Sequence, residues 1–219
     1  DERFVAVETQ EKGNADIWVL DTERGTQTPL TFDLGFDGFP SWSPDGRALV
    51  FTSVRQGSPD IFKMPSDGSG EPLPVVTRPG DDFAADWSPD GRSLIFASSE
   101  KGTGDLWRST LSGNGDPVPF VESDQIVTAP SFSVDGRFVA YQTRVSGRDE
   151  IYVTRFPGGE GRWLIGRGKN PRWSGNGREL FYESDSSLMA VGFTTTDVFR
   201  PGIAEVLFTV QQGAVYEVS

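Results

Sequence analysis

Phe39-Pro-Ser-Trp-Ser-Pro-Asp-Gly-Arg47 is the segment around which the chain is organised, because it recurs three more times. The copies are Ala84-Ala-Asp-Trp-Ser-Pro-Asp-Gly-Arg92, Ala129-Pro-Ser-Phe-Ser-Val-Asp-Gly-Arg137 and Asn170-Pro-Arg-Trp-Ser-Gly-Asn-Gly-Arg178. The first serine after each aromatic residue is separated from the next by 45, 45 and 41 residues, at Ser43, Ser88, Ser133 and Ser174. A repeat of this length is typical of one four-stranded blade of a β-propeller.

Each unit predicts four strands, termed A to D in chain order. The Trp or Phe segment is strand A, and the Ser-Pro-Asp-Gly turn leads into an apolar strand B such as Leu49-Val-Phe51. The turn suits this role because Pro presets φ and Gly accepts positive φ. Strand C begins at an acidic residue, as in Asp60-Ile-Phe62, and strand D often begins at a proline, as in Pro74-Val-Val76. A proline suits an outer edge strand, where no N–H has to be paired.

The repeats predict one all-β domain, 1–219, folded as a five-bladed β-propeller of four-stranded antiparallel blades. We expect blade 1 at 1–31 plus 214–219, blade 2 at 38–77, blade 3 at 83–121, blade 4 at 127–165 and blade 5 at 169–208. The first unit lacks a strand A and the last residues supply one, so Tyr216 should pair with Phe4 where the termini meet. The alternative is a fragment of a six- or seven-bladed ring.

The composition argues against several classes of function. The chain has 20 Lys and Arg against 32 Asp and Glu, a net charge of −12, which repels phosphate backbones and anionic lipid. It has no Cys and no His, which removes thiolate metal sites, cysteine nucleophiles and the usual general base. We therefore expect a monomer without a cofactor that neither binds nucleic acid nor inserts into a membrane.

Trp-Ser-Pro-Asp-Gly, followed by an apolar strand and then by Asp60-Ile-Phe62 or Asp105-Leu-Trp107, resembles the Pro-Asp-Gly repeat of TolB-like β-propellers, which are themselves similar to WD-repeat propellers. Similar repeats occur in bacterial envelope propellers and in domains attached to bacterial kinases. The resemblance implies an extracytoplasmic module, periplasmic or envelope-bound, that binds protein partners. The chain departs from TolB in having five units where six are usual.

Two sets of equivalent residues are predicted to be structural. The aromatic anchors of strand A should fill the wedge between blades; they are Trp42, Trp87, Phe132 and Trp173. The acids that open strand C should accept backbone N–H groups and hold the B–C loop; they are Asp16, Asp60, Asp105 and Glu150. A ring of cation ligands, with Ca²⁺ as the ion, is the alternative for the acids.

The residue before each anchor should line the central tunnel, and its chemistry differs between blades. This position holds Ser41, Asp86, Ser131, Arg172 and, in the closing strand, Glu217. Arg172 and Glu217 are expected to form an ion pair between adjacent blades. The rival hypothesis is a five-bladed glycosidase, which needs two funnel carboxylates about 5–9.5 Å apart. Its candidates are Asp86 and Glu217, with Asp82 or Asp37 as a third.

The loops from strand D to the next strand A should share one face with the B–C loops, and they carry acids among aromatics. They contain Asp33, Phe36, Asp37, Phe39, Asp81, Asp82, Phe83, Glu122 and Asp124, with a basic loop, Arg167 and Lys169, across the rim. Such a mixture at a tunnel mouth is typical of a binding surface; blade packing is the alternative for Phe39 and Phe83. The sequence thus favours a non-catalytic module that binds a protein, peptide or small ligand, with a glycosidase and a cation-binding structural propeller as alternatives.

Overall fold

The computed structural model describes residues 3–11, 13–100, 104–111, 115–195 and 199–209. Within these ranges the chain forms twenty β-strands and no helix, and every strand pairing is antiparallel. No described helix is therefore available that could cross a membrane. The strands make five sheets that follow the order of the repeats.

Each of the five sheets is one blade, built from strands that are neighbours in the chain. Blade 1 contains β1 (Phe4–Glu11), β2 (Asn14–Asp21) and β3 (Thr26–Pro29); blade 2 contains β4 (Asp37–Trp42), β5 (Ala48–Ser53), β6 (Asp60–Pro65) and β7 (Leu73–Val76). Blade 3 contains β8 (Asp82–Trp87), β9 (Ser93–Ser98), β10 (Asp105–Thr110) and β11 (Val118–Val121); blade 4 contains β12 (Val127–Phe132), β13 (Phe138–Val145), β14 (Arg148–Arg155) and β15 (Trp163–Arg167). Blade 5 contains β16 (Lys169–Trp173), β17 (Glu179–Ser184), β18 (Ser187–Thr194), the two-residue β19 (Arg200–Pro201) and β20 (Glu205–Thr209).

The predicted five-bladed, all-β propeller is confirmed. In blades 2 to 4 the strands lie in the order A-B-C-D from one edge of the sheet to the other. In blade 5, β20 pairs with β18 at the place predicted for strand D, and the short β19 also pairs with β18, which the repeat pattern did not predict. The closing strand expected at 214–219, with the pairing of Tyr216 and Phe4, lies outside the described residues.

The repeated turn between strands A and B is held by its own serine and aspartate. Ser43 Oγ donates to Asp45 Oδ1 at 2.7 Å and accepts the backbone N–H of Ala48 at 3.0 Å, while Gly46 takes a φ of 69°. The same hydroxyl-to-side-chain bond recurs at 2.6 to 2.8 Å in the pairs Ser88–Asp90, Ser133–Asp135 and Ser174–Asn176. The turn is therefore a local structure that each repeat encodes for itself.

The hydrophobic core is divided into clusters that lie between successive blades. Trp87 of blade 3 packs with Val50 and Ile61 of blade 2, and Trp173 of blade 5 packs with Ala140 and Ile151 of blade 4. Phe132 and Trp42 belong to the corresponding clusters between blades 3 and 4 and between blades 1 and 2. The anchors thus lie at the wedge between blades, where a large ring excludes water from both sheets.

Candidate functional site

The loops that join strand D to the next strand A lie at one end of the propeller together with the B–C loops. Backbone hydrogen bonds tie the two sets together: Val54 N donates to Phe36 O, Ser99 N to Asp81 O, and Arg144 N to Ile126 O. We call this end the D–A face; its described D–A loops are 30–36, 77–81 and 122–126. The opposite end carries the A–B turns, to which the C–D loop of blade 2 is bonded through Ser66.

Three phenylalanines form an aromatic cluster on the D–A face between blades 2 and 3. The ring centroid of Phe39 lies 5.7 Å from that of Phe36 and 6.5 Å from that of Phe83, in tilted and edge-on arrangements. Phe39 is 47% exposed. In the adjoining loop Phe32 and Leu34 are 76% and 99% exposed. An apolar surface of aromatic and aliphatic side chains therefore remains open to solvent on this face.

Phe39 occupies a β-bulge in a left-handed backbone conformation. Strand A of each of blades 2 to 5 gains one residue against strand B at this point, and Phe39 has a φ of 54°. The equivalent residues in blades 4 and 5, Ala129 and Asn170, have φ values of 49° and 55°. Alanine is small and asparagine tolerates this conformation, whereas a bulky aromatic residue there is strained. The most exposed ring of the cluster thus stands where the backbone favours a smaller or more tolerant residue.

Gly38 allows two groups to meet beside Phe39. A Cβ at Gly38 would collide with the Phe36 ring and with the Glu8 carboxylate, which both cover this stretch of backbone. Glu8 Oε2 also accepts the backbone N–H of Phe39 at 3.3 Å. A carboxylate from blade 1 is therefore placed directly beside the aromatic cluster.

Asp37 lies beneath the face instead of on it. Its side chain is fully buried, and Arg55 Nη2 donates to Oδ1 and Oδ2 at 3.1 and 2.9 Å. The guanidinium of Arg55 also lies over the rings of Phe51 and Phe62, at 5.5 and 5.1 Å from their centroids. The ion pair supports the blade from within, so Asp37 is not offered to a ligand.

Asp82 is at the equivalent position in blade 3, but its neighbours differ. It is fully buried, Arg78 Nε approaches Oδ2 only to 4.0 Å, and neither carboxylate oxygen has a hydrogen-bond partner in the described part of the chain. Burial raises the pKa of Asp82 to about 6, opposed in part by the nearby Ser98 hydroxyl and by the charge of Arg78. Arg78 itself pairs with Glu100 and lies 3.6 Å from the centroid of the Trp107 ring.

Asp16 of blade 1 lies near Asp37 and near Asp33 of the loop after blade 1. Asn14 Nδ2 joins Asp33 and Asp16, donating to the backbone oxygen of Asp33 at 2.7 Å and to Asp16 Oδ2 at 3.3 Å. Burial is the largest cause that raises the pKa of Asp16, and the charges of Asp37 and Asp33 raise it further. With Glu8, the described residues on this side of the face carry more negative charge than Arg55 neutralises.

The acids that open strand C have partners in both the D–A and the B–C loops. Asp105 Oδ1 accepts the backbone N–H of Ser123 in a D–A loop at 2.9 Å. Asp60 Oδ2 accepts the hydroxyl of Ser58 in a B–C loop at 3.5 Å, and burial raises the pKa of Asp60. Glu150 accepts the hydroxyl of Tyr152 at 2.8 Å. No group of three or more acidic side chains that could hold a metal ion occurs among the described residues.

The remaining predicted residues of the face lie farther round the ring. Glu122 and Asp124 are exposed in the loop between blades 3 and 4, and Asp81 is half-buried between blades 2 and 3. Arg167 and Lys169 are exposed between blades 4 and 5, where Lys169 Nζ lies 3.2 Å from Glu183 Oε2. The face therefore has an acidic and aromatic side and a basic side.

The tunnel position ties three blades together at Asp86. Asp86 Oδ1 accepts the Ser41 hydroxyl at 3.0 Å and Oδ2 accepts the backbone N–H of Phe132 at 2.8 Å, and burial raises the pKa of Asp86 while Arg172 lowers it. Ser131 is buried, and its backbone oxygen accepts Trp173 Nε1 at 2.9 Å. Glu217, with its expected ion pair to Arg172, lies outside the described residues.

Sequence reasoning missed Glu8, Arg55 and Arg78, because each acts across a blade boundary or from another loop. The one signal that could have pointed to the arginines is a change in the sign of the charge at equivalent positions of two repeats. Arg55 stands 45 residues before Glu100, so blade 3 carries an acid where blade 2 carries the arginine that holds Asp37. In blade 3 the arginine beside Asp82 is Arg78, which comes from the loop before that blade.

Comparisons with known protein sequences match part of the chain to TolB propellers. The family model of the PD40 TolB beta propeller domain matches residues 1–73. The Tol-Pal system protein TolB of Syntrophus aciditrophicus (strain SB) is 61% identical over 31 residues, which are 14% of this chain and 7% of that protein. An uncharacterized protein of Agrobacterium fabrum is 41% identical over 54 residues, 25% of this chain and 18% of that protein. The match thus spans less than a fifth of either curated relative.

Solved structures give the same fold over almost the whole chain. TolB from Acinetobacter baumannii superposes with a TM-score of 0.76 at 24% identity, covering 95% of this chain and 53% of that one. A putative TolB from Agrobacterium tumefaciens superposes with a TM-score of 0.67 at 24% identity, covering 77% and 64%. A gluconolactonase from Xanthomonas campestris shares the fold at 15% identity, with a TM-score of 0.64 and coverage of 86% and 68%. On its repeats, its five sheets and these matches, the chain is a five-bladed β-propeller whose residues 1–73 match the TolB propeller family model.

Proposed function

We propose that this propeller is a non-catalytic binding module that receives a segment of a protein partner on the aromatic cluster of Phe36, Phe39 and Phe83. The observation that carries the proposal is Phe39, a half-exposed aromatic residue held at a φ of 54°. Backbone strain is retained at binding sites when the strained side chain contributes to function. Large rings with little rotamer freedom are also the side chains that contribute most to protein interfaces.

Packing alone gives a weaker account of Phe39. Its ring leaves 47% of the residue exposed, so it adds less to the core than the buried anchors do. The bulge accepts Ala129 in blade 4 and Asn170 in blade 5, so the fold has no need for an aromatic side chain there. The ring is better explained by a ligand that covers it.

The carboxylates of the rival glycosidase hypothesis have structural partners instead. Both oxygens of Asp86 accept hydrogen bonds from neighbouring blades, and Asp82 is fully buried beside Arg78. A general acid or nucleophile must reach substrate, which these positions do not favour. We therefore propose binding without catalysis. From the matches to TolB we also propose a location in the bacterial envelope or periplasm.

The test is a peptide-display selection against the intact chain, followed by affinity measurements on the selected peptides with Phe39→Asn. Asparagine accepts the bulge conformation, as Asn170 does, so the variant removes the ring and keeps the backbone. We expect at least a tenfold loss of affinity, as for a central aromatic contact. Val134→Ser is the matched control, because Val134 is 49% exposed in an A–B turn at the opposite end. Selected peptides that bind Phe39→Asn as tightly as the wild type would contradict the proposal.

A further inference from the structure

The acidic side of the D–A face has a charge that the described residues around it do not balance. Glu8 is exposed, its carboxylate and the Phe36 ring both lie against Gly38, and Asp33 and Asp16 lie near each other on the same side of the face. Like-charge crowding is already visible in the raised pKa of Asp16, to which burial contributes most and Asp37 and Asp33 add. An approaching cation would relieve this repulsion.

The nearby arginines do not present their charges to solvent. The Arg55 side chain is 17% exposed, is bonded to Asp37 and lies over two rings. The Arg78 side chain is 10% exposed and is held between Glu100 and Trp107. Both guanidinium groups therefore stabilise the interior of their blades, and among the described residues they leave the negative charge beside the aromatic cluster exposed.

We infer that the partner segment carries Lys or Arg next to an apolar side chain. This inference rests on the proposed function and specifies the chemistry of the ligand at the same site. The apolar side chain packs on Phe36, Phe39 and Phe83, while the cationic side chain lies beside Glu8, where the exposed carboxylate and the Phe36 ring can both attract it. The net charge of −12 favours approach of a basic segment at long range.

The experiment uses two display libraries of equal apolar content, one with fixed Lys and Arg positions and one with fixed Asp and Glu positions. We expect peptides that depend on Phe39 to come from the basic library. Their affinity should fall about two- to fivefold with Glu8→Gln. This difference between variant and wild type should shrink at high salt, as expected for one solvated charge pair. Glutamine can still accept the N–H of Phe39, so the variant removes charge and keeps the hydrogen bond. Glu71→Gln is the control, since Glu71 is exposed in the C–D loop at the opposite end.

The outcomes separate the two proposals. If neither library yields binders that depend on Phe39, the proposed function is wrong. If acidic peptides bind as well as basic ones and depend on Phe39, the binding face stands and the inferred charge of the partner is wrong. If basic peptides bind but Glu8→Gln and Glu71→Gln weaken them equally, attraction comes from net charge alone and the placement of the cation beside Glu8 is overturned.

Discussion

Ser41 and Asp86 join blades 2 and 3 through a hydrogen bond of 3.0 Å from the serine hydroxyl to Asp86 Oδ1. The other oxygen of Asp86 accepts the backbone N–H of Phe132 at 2.8 Å, so one side chain links three consecutive blades. Indoles also link blades: Trp87 Nε1 donates to Ser41 O at the same junction of blades 2 and 3, and Trp173 Nε1 donates to Ser131 O between blades 4 and 5. Phe132 has no such donor, and Asp86 accepts a bond from its backbone.

Asp86→Ala should lower the free energy of unfolding by about 1–3 kcal/mol, because the buried N–H of Phe132 loses its acceptor. The stability of Asp86→Asn should lie between that of Asp86→Ala and that of the wild type, since its amide retains one acceptor oxygen. Urea unfolding at neutral pH measures the difference. The exposed Asp124→Ala serves as control and should change stability by less than about 0.5 kcal/mol. Equal stability of Asp86→Ala and the wild type would show that the tie between blades contributes nothing.

Trp173→Phe should destabilise the protein more than Trp87→Phe does. Both changes remove the same atoms from a buried wedge, but the bond from Trp173 Nε1 is 2.9 Å long and that from Trp87 Nε1 is 3.3 Å. A buried carbonyl left without its donor costs about 1–3 kcal/mol. Thermal unfolding of the two variants side by side gives the comparison, and the reverse order of stabilities would refute this assignment.

Asp82 makes the stability of the protein depend on pH. Burial raises its pKa from 3.8 to about 6, so the folded state favours the protonated carboxyl and ionisation opposes folding. The penalty is absent below pH 4, grows as pH rises through 4–6 and is complete above that range. Asp82→Asn should therefore be more stable than the wild type by about 1–3 kcal/mol at pH 7.5 and should match it near pH 4. Denaturant unfolding at several pH values measures this gain.

Asp37→Asn is the matched control for Asp82→Asn, and its effect should have the opposite sign at pH 7.5. It breaks the buried contact with Arg55 and leaves that guanidinium without its carboxylate. We expect a loss of about 1–3 kcal/mol. If both variants shift stability in the same direction at this pH, the contrast drawn between the two carboxylates is wrong.

Phe39→Asn should leave the stability of the fold unchanged or raise it by up to about 1 kcal/mol. The substitution relieves a left-handed conformation that costs an aromatic residue about 1 kcal/mol or more, and the lost ring contacts are half-exposed. The free energy of unfolding is the measurement, read beside the loss of peptide affinity expected for the same variant. A destabilisation above about 1 kcal/mol would mean that Phe39 is needed for blade packing.

The sequence predicted the strands well because their signals are local. The turn at Ser43 and Asp45 uses only residues within one repeat, and strand B follows it as an apolar run, so the spacing of the repeats leads directly to the blade count. The binding face was harder to predict. Phe36, Phe39 and Phe83 were recognised as candidates, but the pattern could not show that Phe39 stays exposed or that its backbone is strained.

Asp37 and Asp82 show most clearly what the repeat pattern alone cannot predict. Asp37 and Asp82 occupy equivalent positions, and both were expected on the face, yet both are buried. One is neutralised by Arg55 from its own blade, the other incompletely by Arg78 from the preceding loop, and each guanidinium covers the equivalent pair of rings. A repeat pattern does not say which loop delivers the counter-charge.

The sequence alone therefore determined the repeating blade, because turn chemistry and apolar strand segments act between neighbours in the chain. Only the tertiary structure decided which carboxylates are buried, which ring remains exposed and which blades share a hydrogen bond. These properties depend on contacts between groups 18 to 46 residues apart, as between Arg55 and Asp37 or between Phe132 and Asp86. Burial and charge at such sites follow from how the blades pack, and the free energy of each group is set there.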